Sequence, residues 1–242
     1  MPFFSEALDA VRSSSSRHRI LPLTRDAIIL GPLAILGFYL LLLLVPFTRN
    51  GALWGLEENH PVEVLTFGFA LTGGLIGARL VLRSIQRKED PLTLWFYLLF
   101  SLGIIFIAGE EIAWGQQFFG FATPEEWKKL NFQGETTLHN IVGLQSHSDM
   151  IRTTFGLCGL AGVWLSVQPR FRRIGAPVIL SPWFLLISAH SLLDVYNDFF
   201  PINVKFDFYV QRLSELVEMM IGIAGMLFLW LNSRMLSSVP KE

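Results

Sequence analysis

Residues 94–120, "LWFYLLFSLGIIFIAGEEIAWGQQFFG", decide the fold. An apolar run ends at Ala108, and two adjacent carboxylates, Glu110 and Glu111, follow almost at once. The run is typical of a helix that crosses a membrane. Because a simple membrane anchor does not require a doubled acid at its end, the pair points to a function beyond anchoring.

The composition of the whole chain favours the same class of protein. Its 242 residues are 52% hydrophobic and only 16% charged, and the mean hydropathy is +0.47. Soluble domains carry about a quarter charged residues. The net charge of −1 excludes nucleic acid as a partner, which would require a clustered basic face. The single cysteine, Cys158, excludes an internal disulfide, and we interpret it as a small packing residue.

Six apolar segments come close to the ~20 residues that span ~30 Å of hydrocarbon. They cover residues 27–47, 62–82, 91–108, 153–167, 177–196 and 209–231. The fourth has the weakest signal, because glycines dilute it. The segment 110–152, between the third and fourth spans, carries helical patterns of its own. We therefore predict an all-α polytopic transmembrane helix bundle over residues 26–233, between an N-terminal tail 1–25 and a C-terminal tail 234–242.

Basic residues predict the orientation. They cluster before the first span, between the second and third, between the fourth and fifth, and after the sixth. With six spans, all four clusters fall on one side, and the positive-inside rule makes that side cytoplasmic. We expect an integral protein of a bacterial inner (plasma) membrane with both termini in the cytoplasm.

Ionisable residues concentrate at the opposite, extracytoplasmic ends of the predicted spans. Two pairs, His190 with Asp194 and Glu135 with His139, are four residues apart and would each share a helix face. The remaining acids of this group are Glu63, Glu110, Glu111, Glu215 and Glu218. Acids in a membrane are costly, so they usually face the bundle interior and indicate a pathway or a site. The pattern predicts a polar pocket on the outer side.

Our leading hypothesis is a metal-dependent hydrolase of a lipid or lipid-linked substrate. A divalent ion, zinc first and manganese or iron next, would generate a nucleophilic hydroxide from water. The expected metal ligands are His139, His190, Asp194, Glu218 and Glu135. The expected catalytic acids or bases are Glu110, Glu111 and Glu215. The expected substrate contacts are Arg212, for a phosphate, with Gln117, Trp114 and Asn140.

Two other functions and one purely structural interpretation remain open. In a proton- or cation-coupled transporter the same acids would bind the ion, although a transporter site is expected nearer the midplane. The chain could also be a structural or assembly subunit of a membrane complex. Alternatively, the polar residues tie helices together, with Glu111, Glu215 or Glu218 paired to Arg212 or Arg152. His18 and His147 are predicted to be surface residues.

Two stretches carry a resemblance. Residues 109–127, "GEEIAWGQQFFGFATPEEW", and 131–140, "NFQGETTLHN", resemble a motif pair, GEExxWGQ and QGExxLHN, of uncharacterised bacterial polytopic membrane proteins. The resemblance covers about an eighth of the chain and implies a membrane fold without an activity. The layout of acids and histidines is also loosely similar to the membrane zinc hydrolases of the alkaline ceramidase and progestin-receptor superfamily. Those have seven spans, one Ser, one Asp and three His, and no residue role is carried over from them.

Overall fold

The structure, a computed structural model, describes residues 2–131, 134–138, 141 and 147–237. Helix makes up 81% of the molecule, and the described ranges contain no strand, only an isolated bridge between Asn131 and Ile141. The all-α prediction is confirmed. The helices in chain order are α1 Pro2–Arg17, α2 Pro22–Leu44, α3 Pro46–Gly55, α4 Pro61–Gln86, α5 Pro91–Glu111, α6 Gln116–Phe119, α7 Glu125–Lys128, α8 Ser148–Leu165, α9 Ser181–Phe199 and α10 Val204–Ser237.

Five of these helices are long and apolar enough to cross a membrane: α2, α4, α5, α9 with the turn before it, and α10. They fit an integral membrane protein. Four of them carry a proline in the first turn, where the missing N–H is not needed and the fixed φ suits a helix. Asp90 also caps α5, because its carboxylate accepts from the backbone N–H of Thr93 at 3.0 Å.

Helix α8 corresponds to the predicted fourth span but is not among these five. Asp149 and Arg152 occupy its first turns and lower its hydropathy, so its crossing of the membrane stays a prediction. The glycines that dilute it allow close packing on α9. A Cβ on Gly156 would lie 2.9 Å from the backbone nitrogen of Ser188, too close for a side chain there.

The bundle is built around α10, the most buried helix. Helices α4 and α5 form a hairpin against one side of α10, and α8 and α9 form a second hairpin against the other. Helix α2 lies at the periphery on α9, where the indole of Trp183 donates to the carbonyl of Ile28 at 2.8 Å.

The two hairpins are tied together at one end, which we call the basic end. There the hydroxyl of Tyr97 on α5 donates to the carbonyl of Arg173, in the connection between α8 and α9. Arg173 also pairs with Glu89, in the turn between α4 and α5. Arg87 of the same turn donates to the carbonyl of Leu236 on α10. The hairpins are therefore closed at this end.

The N-terminal segment is an ordered helix with a buried end, where the sequence predicted a polar tail. His18 follows α1 and is only 2% exposed, so the prediction of a surface residue is wrong for it. One ring nitrogen lies 2.7 Å from the carbonyl of Ser14, and Arg234 of α10 donates to the His18 carbonyl. Burial lowers the pKa of His18. A single histidine in a serine-rich, basic segment gave no sign of this packing.

Candidate functional site

Helix α5 stops abruptly after its two acids. Ala113 and Trp114 have left-handed backbones, with φ of 46° and 55°, and Gly115 follows at 93°. Such conformations are strained for residues with a side chain and occur mostly where the fold enforces them, often at functional sites. Helix α5 therefore does not continue through Trp114 and Gln117. The chain turns back on itself instead.

Glu110 holds this turn in place. One carboxylate oxygen accepts from the Trp114 indole at 2.7 Å, and the other accepts from the backbone N–H of Leu138 at 2.7 Å. The indole packs so closely on Gly109 that a Cβ there would lie 2.8 Å from its ring. Glu110 thus joins the end of α5 to the returning segment 134–138.

Gln116 makes a second set of contacts to the same segment. Its side-chain oxygen accepts from the N–H and the hydroxyl of Thr136, at 2.9 and 3.0 Å, and its amide donates to Thr123 at 2.8 Å. Our sequence reasoning singled out Gln117, which is half-buried with its amide 3.4 Å from the Glu111 carbonyl. It missed Gln116, although both "GQQ" and "QGETT" belong to the motif pair that carried the resemblance.

At the end opposite the basic end, the hairpins separate around a cavity of about 960 Å³, which we call the acid cavity. The beginning of α4, the end of α5, the beginning of α8, the end of α9 and the first half of α10 form its walls. Its ionisable lining comprises Glu58, Glu63, Glu110, Glu111, Asp149, Asp194, Asp198, Glu215, Glu218, Arg152 and Arg212. The structure thus brings together six residues of the predicted site: Glu110, Glu111, Asp194, Arg212, Glu215 and Glu218.

A buried arginine lies among these acids. Arg152 of α8 donates to Asp194 of α9 at 2.8 Å and to Glu218 of α10 at 2.6 Å. The side chains of Arg152 and Asp194 are only 7% and 8% exposed. Glu218 paired with Arg152 is one of the interhelical ties that the sequence left open. Sequence reasoning did not place Arg152 in the site; the only signal was a charged residue just before a weakly apolar segment.

Glu111 differs from its neighbour Glu110. Its carboxylate lines the acid cavity, is only 9% exposed, and makes no hydrogen bond or ion pair with a described residue. It lies close enough to Glu218, Glu63 and Glu215 for their charges to interact. Crowded carboxylates of this kind repel one another unless a proton or a cation lies between them.

The predicted metal ligands do not assemble into one set. Asp194 and Glu218 bind the Arg152 guanidinium, while His190 and Glu135 do not line the acid cavity. The ring nitrogens of His190 are buried beside the backbone of Val210 without a well-formed hydrogen bond. Glu135 lies 3.4 Å from the side-chain amide of Asn59. His139 and Asn140 lie outside the described residues.

The described residues give no support for a bound divalent ion. Nowhere among them do three or more His, Cys, Asp or Glu side chains form a group that could hold a metal. In the acid cavity, the guanidinium of Arg152 already lies between two of the acids that were expected to bind the ion. A zinc, manganese or iron centre built from this ligand set finds no support here.

The predicted substrate contacts lie in different surroundings. Arg212 lines the acid cavity with its guanidinium 5.6 Å from the ring centroid of Phe208, a cation–π contact. Trp114 is bound to Glu110 and half exposed. Neither Trp114 nor Gln117 is among the lining residues.

Comparison of the chain with protein-family models, with curated proteins and with solved structures gave no match.

Proposed function

We propose that the protein binds an organic cation in the acid cavity and carries it across the membrane. The observation that carries this proposal is the excess of acidic groups in the lining, which contains nine carboxyl groups and two guanidiniums. Arg152 neutralises part of this charge by pairing with Asp194 and Glu218. The remaining excess of carboxylates favours a positively charged ligand and disfavours the phosphate that we first expected Arg212 to hold.

The volume of the cavity favours an organic ion over a bare one. Sites for small organic ligands typically measure about 300–1,000 Å³, and the acid cavity, at about 960 Å³, is at the upper end. Phe106, Phe208 and Ile221 supply apolar wall between the acids. Such a lining suits a ligand that has a charged group and a hydrocarbon part.

Two features support transport rather than simple binding. The hairpins are closed by Tyr97 and Arg173 at the basic end and separate at the other end, as in one state of an alternating-access cycle. The lining acids Glu111, Asp194 and Glu215 belong to spanning helices, and acids within spans often mark ion or substrate pathways.

We infer that the acid cavity faces the extracytoplasmic side. The residues that tie the basic end, Arg87, Arg173 and Arg234, belong to three of the four basic clusters, and the positive-inside rule assigns such clusters to the cytoplasm. The location in a bacterial inner membrane is part of the same proposal.

The test is a binding and uptake assay with protein in lipid nanodiscs and in proteoliposomes. The probes are dodecyltrimethylammonium, its chain-free analogue tetramethylammonium, and dodecyl sulfate as an anion with the same tail. We expect at least one cation, but not the sulfate, to bind saturably and to be taken up.

Glu111→Gln should weaken cation binding about tenfold, because it removes a buried acid whose charged form a bound cation would stabilise. Glu126→Gln is the matched control, since Glu126 is exposed on α7 and does not line the acid cavity. Equal binding of dodecyl sulfate, or equal affinity in wild type and Glu111→Gln, would exclude the proposal.

A second candidate is hydrolysis of the bound compound, favoured by the buried carboxylate of Glu111 without a described partner. In that reaction Glu111 would take a proton from a water molecule while the water oxygen attacks an ester carbonyl carbon. Glu111 would then give the proton to the departing alcohol. Binding without uptake, together with release of the alcohol from a choline ester, would favour this candidate.

A further inference from the structure

Helices α5 and α8 form one side of the acid cavity. Helix α5 packs on α4 and α10, and α8 packs on α9 and α10, but α5 and α8 do not form an extended contact with each other in the described ranges. They are nevertheless both walls of the cavity, through Phe106 and Ile107 on α5 and Ile151 and Arg152 on α8. Among the described residues, no helix-to-helix packing closes the space between α5 and α8 on this side of the cavity.

The rim of this space is apolar. Phe106 and Ile151 line the cavity, and 41% and 60% of their surfaces are exposed. Phe106 precedes Glu110 by one helical turn, ~6 Å along α5. Ile151 immediately precedes Arg152. Exposed apolar side chains thus lie within about one helical turn of the buried charges.

The polarity of the cavity wall changes from the rim inward. At the rim stand aromatic and aliphatic side chains, and inside stands the carboxylate of Glu111, nine-tenths buried and without a described hydrogen-bond partner. A ligand that matches this sequence of environments has a cationic head and an apolar tail. A small hydrophilic cation would gain nothing from the rim.

We propose that the ligand is a membrane-resident amphiphile with a cationic head group, and that it enters the acid cavity from the bilayer between α5 and α8. The head would lie near Glu111, and the tail would pass between Phe106 and Ile151 into the lipid. This inference rests on the proposed cation binding and specifies the ligand class and its route.

The tail should make a measurable contribution to affinity. Dodecyltrimethylammonium should bind at least about tenfold more tightly than tetramethylammonium, after correction for its partition into the nanodisc lipid, because part of its chain packs on the rim. Ile151→Trp, which narrows the opening, should slow association of the dodecyl compound about fivefold or more, whereas tetramethylammonium should associate at an unchanged rate.

Leu157→Trp is the matched control, because Leu157 lies on α8, is 47% exposed and does not line the cavity. It should leave both association rates unchanged. Equal corrected affinities for the two cations, or equal slowing of both by Ile151→Trp, would overturn the lateral route while leaving cation binding intact. If neither cation binds, the proposed function itself fails.

Discussion

The two adjacent glutamates at the end of α5, Glu110 and Glu111, have different roles. Glu110 has both carboxylate oxygens occupied, by the Trp114 indole and the Leu138 backbone. Glu111 faces the acid cavity and has no described partner. The doubled acid therefore combines a structural tie with a group that is available to a ligand, since consecutive side chains at a helix end point in different directions.

Arg152 should be required for the fold because two acids depend on it. Arg152→Met would leave Asp194 and Glu218 without their cation, and removing one member of a buried charge network typically costs about 3 kcal/mol or more of unfolding free energy. The triple variant Arg152→Met, Asp194→Asn, Glu218→Gln should recover to within about 1 kcal/mol of wild type.

Denaturant unfolding in detergent, followed by tryptophan fluorescence, measures this difference. Lys129→Met, at an exposed position, serves as the control and should leave the unfolding free energy unchanged. A triple variant as unstable as Arg152→Met would show that the arginine acts through its size and packing rather than its charge.

The sequence could predict most of the acids that converge, but not their partners; Glu135 was wrongly included, and Glu58, Asp149 and Asp198 were missed. The i, i+4 spacing and the depth along each span brought Glu111, Asp194, Glu215 and Glu218 to one end of the bundle. The pairing of Arg152 with acids 42 and 66 residues away depends on how the helices pack, and no local pattern encodes that. The acids Asp194 and Glu218 bind the Arg152 guanidinium in the structure. From the sequence alone, the same acids were equally compatible with binding a metal ion.

At the level of helices, α5 illustrates what local sequence does and does not determine. Its beginning is readable, because Asp90 before Pro91 forms a cap followed by an apolar run. Its end is not, because the left-handed residues are Ala113 and Trp114, types that rarely adopt that conformation. The contacts of Trp114 with Glu110 and Gly109 enforce the break, and these form only in the folded chain.

The cap of α5 predicts a specific dependence on pH. Hydrogen bonds from the side chain and backbone of Thr93 hold the pKa of Asp90 below its ordinary value. A carboxyl whose folded pKa is lowered stabilises the fold above its unfolded pKa of about 3.9 and loses that contribution as pH falls through the folded value. Asp90→Asn keeps a capping side chain but cannot titrate.

Wild type should therefore lose stability relative to Asp90→Asn as pH falls from about 5 to about 3, because only wild type binds a proton at this position. Asp90→Ala should be less stable than wild type by about 1 kcal/mol near neutral pH. Unfolding midpoints of the three proteins across this range provide the measurement. Parallel curves for wild type and Asp90→Asn would mean that the Asp90 carboxylate is not coupled to folding.

At the scale of the whole molecule, the sequence predicted the class but left one crossing open. Helices α2, α4, α5, α9 and α10 were all predicted from their hydropathy. Helix α8 was the weakest of the six predicted spans, because its glycines and its charged first turns serve packing and the acid cavity rather than contact with lipid. Hydropathy reports only on how well a segment suits contact with lipid.

The geometry of α8 nevertheless predicts that it crosses the membrane. Its first turns carry Arg152, which binds acids in the cavity, and the connection after it carries Arg173, which binds Glu89 at the basic end. Its 18 residues span ~27 Å, close to the ~30 Å thickness of a hydrocarbon core. A helix that joins the two ends of a spanning bundle lies across the same layer.

The locations of the two termini test this prediction. Five crossings would put the termini on opposite sides of the membrane, and six would put them on the same side. We expect alkaline phosphatase fused after Lys128 to be active and fused after Arg87, Arg172 or the C-terminus to be inactive, with green fluorescent protein giving the reverse pattern. Lys128, on exposed α7, tests the outer side of the bundle, and Arg172 tests the end of α8. An active phosphatase at both Arg172 and the C-terminus would mean that α8 does not cross. The acid cavity would then lack a spanning wall on one side, and a lateral route between α5 and α8 would have no membrane to open into.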